Sequence, residues 1–183
     1  MMRRLKGLGP LFGVLGTVGS VVLAANEASQ ARLLPGWQLV VVAVDDSSDP
    51  SVGSVNAQRL IDNPSVIGAV GTYNPGVAAA VAPDFEAAGI ALLSPGNTDP
   101  SLTIGPDRAH PMRPYDNYFR LVANDAQQGG FLAHYAAVDA DFPTAAIIAD
   151  AKQVSQGLAN DFRDGFIAAG GIVTSFEVVP EGD

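Results

Sequence analysis

Residues suited to binding an anion occur at Tyr73-Asn74-Pro75-Gly76, between an apolar run that ends at Val70 and a helical pattern that continues to Ala88. Asn74 suits a helix N-cap and Pro75 suits the first helical position. Free N–H groups and the positive end of the helix dipole attract a carboxylate, especially at the carboxyl end of a parallel strand. The segment therefore predicts either a ligand carboxylate site or an ordinary helix start.

A second polar segment, Ser94-Pro95-Gly96-Asn97-Thr98, follows the next apolar run along the chain, Ile90–Leu93. The carboxyl ends of neighbouring parallel strands open on one crevice, so both segments would face the same ligand. A zwitterionic ligand needs a donor and an acceptor that converge on it, and paired loops at strand ends can supply them. The alternative is a plain Asn-Thr-Asp-Pro turn, which the same residues would form.

The start of the chain imitates a dinucleotide-binding fingerprint. Gly7-x-Gly9 and Gly13 precede an acidic pair, Asp45-Asp46, that follows a later strand. However, Arg3–Lys6 is a poor buried strand, and Pro10 interrupts the glycine-rich turn. A nucleotide-dependent Rossmann-type enzyme is therefore the weaker rival hypothesis.

Other residues that could do chemistry have simpler explanations. Gln153–Gly157 is placed like a nucleophile elbow around Ser155, but the first glycine is missing and both histidines, His110 and His134, precede the serine. Ser155 suits a helix cap, the histidines suit solvated or core-edge positions, and the aspartates of Asp45–Pro50 suit turn caps rather than a cation site. We expect no enzyme activity, no metal and no cofactor.

Composition narrows the class of protein further. The chain has 183 residues, 48% of them hydrophobic, and a net charge of −9. This acidic surface would repel phosphate backbones, so no nucleic-acid partner is expected. Cysteine is absent and histidine occurs twice, which disfavours thiolate chemistry and histidine-based metal sites.

Strands and helices are predicted to alternate along nearly the whole chain. Trp37–Val44 is a continuous apolar, β-branched run, typical of a strand buried on both faces. Further strands are predicted at Val66–Val70, Ile90–Leu93, Phe119–Val122, Ala145–Ala149 and Ile172–Val179. Helices are predicted at Val21–Ala31, Val52–Asp62, Pro75–Ala88, Ala126–Asp139 and Gln156–Ala169. Because each strand leads into a helix or a long loop, we predict an α/β fold with a doubly wound parallel sheet.

One stretch breaks this alternation. Ser94–Asn117 contains five prolines and no regular period, and loops this long inside a compact domain are usually functional. Ala123–Asp125, after the following strand, indicates a hinge, and we place a lobe boundary there.

Colinear pieces of the sequence resemble the N-terminal half of the leucine/isoleucine/valine-binding protein family, which has the type I periplasmic binding protein fold. No single piece is diagnostic, but about ten of them follow the family's order at near-constant spacing. They are Gly9–Gly13, Ala24–Glu27, Leu34–Gly36, Asp45–Pro50, Gly71–Asn74, Glu86–Ile90, Ser94–Pro100, Leu102-Thr103, Phe119-Arg120, Asp125–Gly129 and Gln156–Ala159.

The resemblance implies two lobes around a ligand cleft. Residues 1–122 would form the first ligand-binding lobe without its C-terminal return elements, and 123–183 would begin a second, truncated lobe. The implied function is the solute-binding component of an ABC-type uptake system, periplasmic or extracytoplasmic, with a small amino acid, amide or related acid as ligand. A membrane permease complex or a fused sensor module would be the partner. A degenerate or sensory ligand-binding domain of a regulatory protein is the alternative.

The resemblance also implies the ligand contacts, and it shows where this chain departs from the family. The contacts would come from Tyr73, Asn74, Pro75, Gly76, Ser94, Gly96, Asn97, Thr98 and Val154, with the Gly96 carbonyl and the Thr98 hydroxyl binding the ligand's amino-acid group. Pro75 stands where the family has a carboxylate-binding serine, and Val18 and Val154 stand where it has tyrosines. A lost hydrogen bond to a charged group costs about 1.5–3 kcal/mol. These departures disfavour a tight free-amino-acid binder and are compatible with a more apolar acid, an amide or no ligand at all.

The N-terminus has two interpretations. The basic segment Met1–Lys6 and the apolar segment Gly7–Ala25 have the outline of a secretory signal. Glycine and proline punctuate the apolar segment, and the resemblance needs its residues for an opening loop and first helix. We therefore favour the structural interpretation and find no convincing signal peptide.

Overall fold

A computed structural model describes residues 14–151 and 153–180. The chain divides into two compact units, Met1–Val44 and Asp45–Asp183. The first contains α1 (Val14–Gln30). The second contains, in order, α2 (Pro50–Ile61), β1 (Gly68–Val70), α3 (Pro75–Ala88), β2 (Ala91–Ser94), α4 (Ser101–Ile104), β3 (Tyr118–Arg120), α5 (Asp125–His134), a π-helical turn (Tyr135–Asp139), β4 (Thr144–Asp150), α6 (Gln153–Ala168) and β5 (Ile172–Val179). None of the helices in the described ranges is long and apolar enough to cross a bilayer.

The first unit contains a helix where one is predicted, although it begins at Val14 and not at Val21. It corrects the predicted strand that follows. Residues Trp37–Val44 belong to no strand ladder among the described residues, and the side chains of Trp37 and Val40 are 77% and 75% exposed. A strand exists only when its backbone groups pair with a neighbouring strand, whatever its side-chain composition. The residues that the sequence would place as the first strand and opening loop, with the glycines of the dinucleotide-like pattern, lie outside the described ranges.

The second unit contains two parallel sheets. In the first, β2 lies between β1 and β3. The last β1–β2 pair is Val70 with Leu93, and the last β2–β3 pair is Ser94 with Arg120. In the second, β4 pairs with β5. The strands predicted in these five places are confirmed. The predicted lobe boundary falls between the two sheets, and the division into lobes remains a prediction.

Helix α3 forms the centre of the first core. Its buried face packs against α2, β2, α4 and β3 in a cluster of Ala57, Val77, Ala78, Val81, Ala82, Phe85, Leu92, Leu102 and Tyr118. Pro75 begins the helix, where its missing N–H costs nothing, and Gly89 ends it in the left-handed conformation with φ 66°. These two signals explain why the observed helix has the bounds that the sequence predicts.

The loop predicted over Ser94–Asn117 is mostly irregular, but it contains the short helix α4. The predicted hinge leads into α5, which begins with a capping box. The Asn124 side chain accepts from the Gln127 N–H at 2.9 Å, and the Gln127 side chain accepts from the Asn124 N–H at 3.1 Å. The helix therefore begins at Asp125, one residue earlier than the sequence pattern indicates.

Helices α5 and α6 approach closely because small residues face each other. A Cβ added at Gly129 would lie 2.6 Å from the Asp161 Cβ and 2.8 Å from the Phe162 backbone nitrogen. At Gly130 an added Cβ would meet nothing within 4 Å. The two neighbouring glycines of α5 thus differ in their surroundings.

This difference predicts opposite effects of the same substitution. Gly129→Ala should lower the free energy of unfolding by about 1–3 kcal/mol, because α6 backbone atoms must move to admit the methyl group. Gly130→Ala should leave stability unchanged or raise it by up to about 1 kcal/mol, because alanine favours the helix. Urea unfolding of both variants measures the contrast, and equal effects would show that the helices do not pack as described.

Candidate functional site: two loops at the carboxyl edge of the first sheet

The site begins where β1 and β2 end side by side. The Gly71 N–H donates to the Leu93 carbonyl at 3.0 Å, one residue beyond the last β1–β2 pair. Because the strands are parallel, the loops that follow them leave from the same edge of the sheet, which is the one formed by the carboxyl ends of the strands. The structure thus brings together the two segments that the sequence singled out, 71–76 and 94–98.

Ser94 joins these two loops. Its side chain is fully buried, and its hydroxyl donates to the Thr72 carbonyl at 2.7 Å. The same oxygen accepts from the Asn97 N–H at 2.9 Å. One hydroxyl therefore fixes the first loop against the second and sets the turn of the second. Ser94 was predicted as a ligand contact, and these bonds give it a structural role.

Tyr73 and Gly96 form the contact between the loops on the exposed side. The Tyr73 side chain is 70% exposed, and an added Cβ at Gly96 would lie 2.5 Å from its Cε2 atom. The ring therefore lies directly on the glycine. A side chain at position 96 would require the Tyr73 ring to move. The pair therefore places an aromatic ring next to backbone that carries no side chain.

The start of α3 supplies donors at this edge. Asn74 occupies the N-cap position, but its side chain makes no capping hydrogen bond, so its predicted place is right and its predicted bond is absent. Pro75 is buried and Gly76 is exposed. The first-turn N–H groups of a helix have no intrahelical partner, and the helix dipole is positive at this end. An anion placed beside Gly76 would be close to the free N–H groups and to the positive end of the dipole.

Asn97 and Thr98 point their polar groups into the protein. Asn97 is fully buried, its Oδ1 atom accepts from the Asp99 N–H at 3.0 Å, and its Nδ2 atom has no partner among the described residues. The Thr98 carbonyl accepts from the Asp125 N–H at 2.9 Å. Thr98 thus contacts the start of α5 through its backbone, and its role as a ligand donor remains a prediction.

Val154, the ninth predicted contact, belongs to α6 by its backbone, but its side chain lies outside the described part of the structure. Ser155 accepts from the Asp150 N–H at 3.3 Å, as expected of a residue that serves the local backbone. The side chains of Asp45, Asp46 and Asp49 accept from N–H groups two residues ahead, as expected of turn caps.

Asp125, to which the sequence assigned no binding role, lies beside Thr98. Asp125 is 3% exposed, and burial raises the pKa of its carboxyl, with the neighbouring charges of Asp161 and Asp99 adding to the rise. The Thr98 hydroxyl and the Arg108 guanidinium oppose that rise. Arg108 in turn forms an ion pair with Asp161 of α6. Only folding reveals that these residues, far apart in sequence, share one environment.

No cluster of three or more histidine, cysteine, aspartate or glutamate residues in the described ranges could hold a metal ion. His110 is highly exposed and pairs with Asp107 at 2.9 Å, and His134 is exposed as well. Both histidines therefore occupy the solvated positions that the sequence predicts. The chemistry available at the sheet edge is hydrogen bonding, stacking and charge.

Comparison with known proteins identifies the class. The sequence pattern that defines the periplasmic binding protein family matches residues 8–183, so the chain belongs to that family. The Leu/Ile/Val-binding protein homolog 3 of Brucella melitensis is 26% identical over 181 residues, covering 96% of this chain and 47% of that protein. The leucine-specific-binding protein of Salmonella typhimurium is 28% identical over 152 residues, covering 82% of this chain and 38% of that protein.

The fold comparison agrees. The solved structure of an ABC transporter substrate-binding protein from Desulfitobacterium hafniense, in complex with Leu, matches with a TM-score of 0.76 at 27% identity. The match covers 90% of this chain and 46% of that one. The predicted family and α/β fold class are confirmed, and the chain spans about half the length of these proteins.

The raised pKa of Asp125 predicts a pH-dependent stability. Below the pKa values of both states the carboxyl is neutral and burial has no cost. As the pH rises through the raised folded pKa, the ionised form destabilises the native state. Asp125→Asn should therefore become more stable relative to the wild type as the pH rises from about 3 to about 7.

Urea unfolding across this range measures the difference between the two proteins. Asp84→Asn, on the exposed side of α3, controls for the loss of one negative charge. A constant difference between Asp125→Asn and the wild type at all pH values would contradict the assignment.

Proposed function

We propose that this chain contributes the first ligand-binding lobe, and the start of the second, of a solute-binding component of an ABC-type uptake system. The observation that carries the proposal is the Ser94 hydroxyl, which holds the 71–76 and 94–98 loops together at one sheet edge. Relatives named as amino-acid binding proteins share this family, and one structural relative was solved with Leu bound. The proposed place of action is periplasmic or extracytoplasmic, and the proposed partner is a membrane permease complex.

The exposed groups of the two loops are the proposed ligand contacts. Tyr73 offers an aromatic face, Gly76 offers a backbone N–H at the positive end of α3, and Gly96 offers partly exposed backbone beside the Tyr73 ring. Ser94 and Asn97 are buried, so they shape the loops instead of contacting the ligand directly. This arrangement suits a small molecule with one acidic or amide end and an apolar body.

The proposed ligand class follows from Pro75, at the start of α3. Pro75 has no N–H or hydroxyl to offer a carboxylate, where the resemblance places a serine. Each missing hydrogen bond to a charged group forgoes about 1.5–3 kcal/mol, so this departure weakens the binding of a fully charged amino acid. We therefore place apolar acids and amides ahead of free branched-chain amino acids. The same departure favours, as the second candidate, a sensory domain of a regulatory protein that keeps the fold with an altered site.

A titration followed by backbone amide NMR tests the proposal on this chain. The probes are L-leucine, L-leucinamide and 4-methylpentanoate, which share one apolar body and differ in their polar end. Shift changes should concentrate at 71–76 and 94–98, and the amide or the acid should bind at least as tightly as L-leucine. Absence of any localised change with all three probes would contradict the proposed function.

A pair of proline substitutions on α3 serves as the matched control. Pro75→Ser supplies the hydroxyl that the resemblance places at this position and should tighten L-leucine binding about tenfold, the value of one added hydrogen bond to a charged group. Pro83→Ser makes the same change two turns along the helix, at an exposed position, and should leave binding unchanged. Equal effects of the two variants would remove the start of α3 from the site.

A further inference from the structure

Arg120, at the end of β3, directs its guanidinium at the loop that follows β2. Its Nη1 atom donates to the Asn97 carbonyl at 3.3 Å, and its Nη2 atom donates to the Asp99 carbonyl at 2.7 Å. Nη2 also donates to the Thr103 hydroxyl at 2.6 Å. One side chain thus binds the second half of the loop and the short helix behind it. These bonds span 17 to 23 residues of sequence.

We propose that Arg120 is a positioning residue of the ligand site, which fixes the conformation of the Ser94–Asp99 loop by holding its carbonyl oxygens from the neighbouring strand. The proposal rests on the proposed function for its link to a ligand. The loop is anchored at its start by the Ser94 hydroxyl on the Asn97 N–H and at its end by Arg120. Gly96 lies between these two anchors, so its partly exposed backbone is presented in one orientation.

The chemistry of the contact requires arginine. The acceptors are two carbonyl oxygens and one hydroxyl oxygen at different angles, and only a planar guanidinium presents a fixed fork of donors to several acceptors at once. Lysine keeps the charge but offers one compact ammonium group, which cannot reproduce that fork. The guanidinium also lies over the Tyr118 ring, 6.0 Å from its centroid, which limits its freedom to turn away.

The Arg120 guanidinium would be destabilised by its partial burial if these hydrogen bonds were absent. Desolvation lowers the pKa of Arg120, and its Nε atom is buried with no partner among the described residues. A cation held in such surroundings depends on the oxygens that it does reach. The loop and the arginine therefore order each other, since moving either one leaves a partly buried charge with fewer acceptors.

A neighbouring arginine provides a matched control. Arg113 donates to the carbonyls of Tyr115 and Tyr118 and lies over the Phe119 ring at 5.2 Å. It makes the same kinds of contact as Arg120, but its hydrogen-bond partners are outside the Ser94–Asp99 loop. Arg113→Lys therefore removes an equivalent fork without removing any loop contact.

Amide hydrogen exchange compares the two variants. In Arg120→Lys, the N–H groups of Asn97 and Asp99 should exchange at least tenfold faster than in the wild type, while the Gly71 N–H on the sheet should change less than twofold. In Arg113→Lys, all three should stay within twofold. Unchanged exchange at Asn97 and Asp99 in Arg120→Lys, or equal loosening in both variants, would overturn the proposal.

A milder pair keeps the test decisive if Arg120→Lys does not fold. Thr103→Val removes one acceptor of Arg120 and preserves side-chain shape, whereas Thr103→Ser retains the hydroxyl. Thr103→Val should speed exchange at Asn97 and Asp99 about threefold, and Thr103→Ser should not; equal rates in the two variants would overturn the proposal. Because no readout uses a ligand, failure of every probe to bind would count against the proposed function alone.

Discussion

One buried hydroxyl, that of Ser94, is the constraint on which the candidate site depends. It donates to the Thr72 carbonyl in the loop after β1 and accepts from Asn97 in its own loop. Parallel pairing of β1 and β2 brings the loops to one edge, but pairing alone does not fix their conformation beyond the last ladder bond. The Ser94 bonds fix it, and the contact of Tyr73 with Gly96 follows from them.

The site is therefore made largely of backbone that buried side chains hold in place. Ser94 and Arg120 anchor the two ends of the second loop, and Asp125 binds Thr98 from the start of α5. Polar groups buried in this way are costly unless they are bonded, so each supports the conformation of the others. Under the proposed function, specificity for a ligand would rest on the few groups left exposed, chiefly Tyr73 and the first turn of α3.

The sequence predicts the local elements well and the long-range polar contacts poorly. Helix α3 is recovered from Pro75 to Ala88 because proline and glycine signals stand at its ends, and β5 is recovered because its β-branched run is long. Trp37–Val44 has the same β-branched character but pairs with no strand within 14–151 and 153–180, since strand formation depends on a partner that composition does not specify. Helix α4 is too short to show a period.

The residues around the loops show the same limit. The resemblance brought Phe119-Arg120 and the Asp125 segment to attention without indicating a role for either. The partners in these contacts are far apart in the sequence. Arg120 and Thr103 are separated by 17 residues, and Thr98 and Asp125 by 27. No spacing rule in a single sequence encodes such a meeting. The paired loops could be predicted because strand ends follow from topology, but the network beneath them could not.

The most direct test of the account is whether the two loops meet in solution. A two-dimensional NOE spectrum of this chain should show strong cross-peaks between the Tyr73 ring protons and the Gly96 α-protons, with those α-protons shifted upfield by the ring. Ser94→Ala should abolish both features while the β1–β2 ladder cross-peaks persist, because the Ser94 hydroxyl is the group that hydrogen bonds the second loop to the first beyond the sheet. An ordinary Gly96 shift with no cross-peak to Tyr73 in the wild type would contradict the central claim.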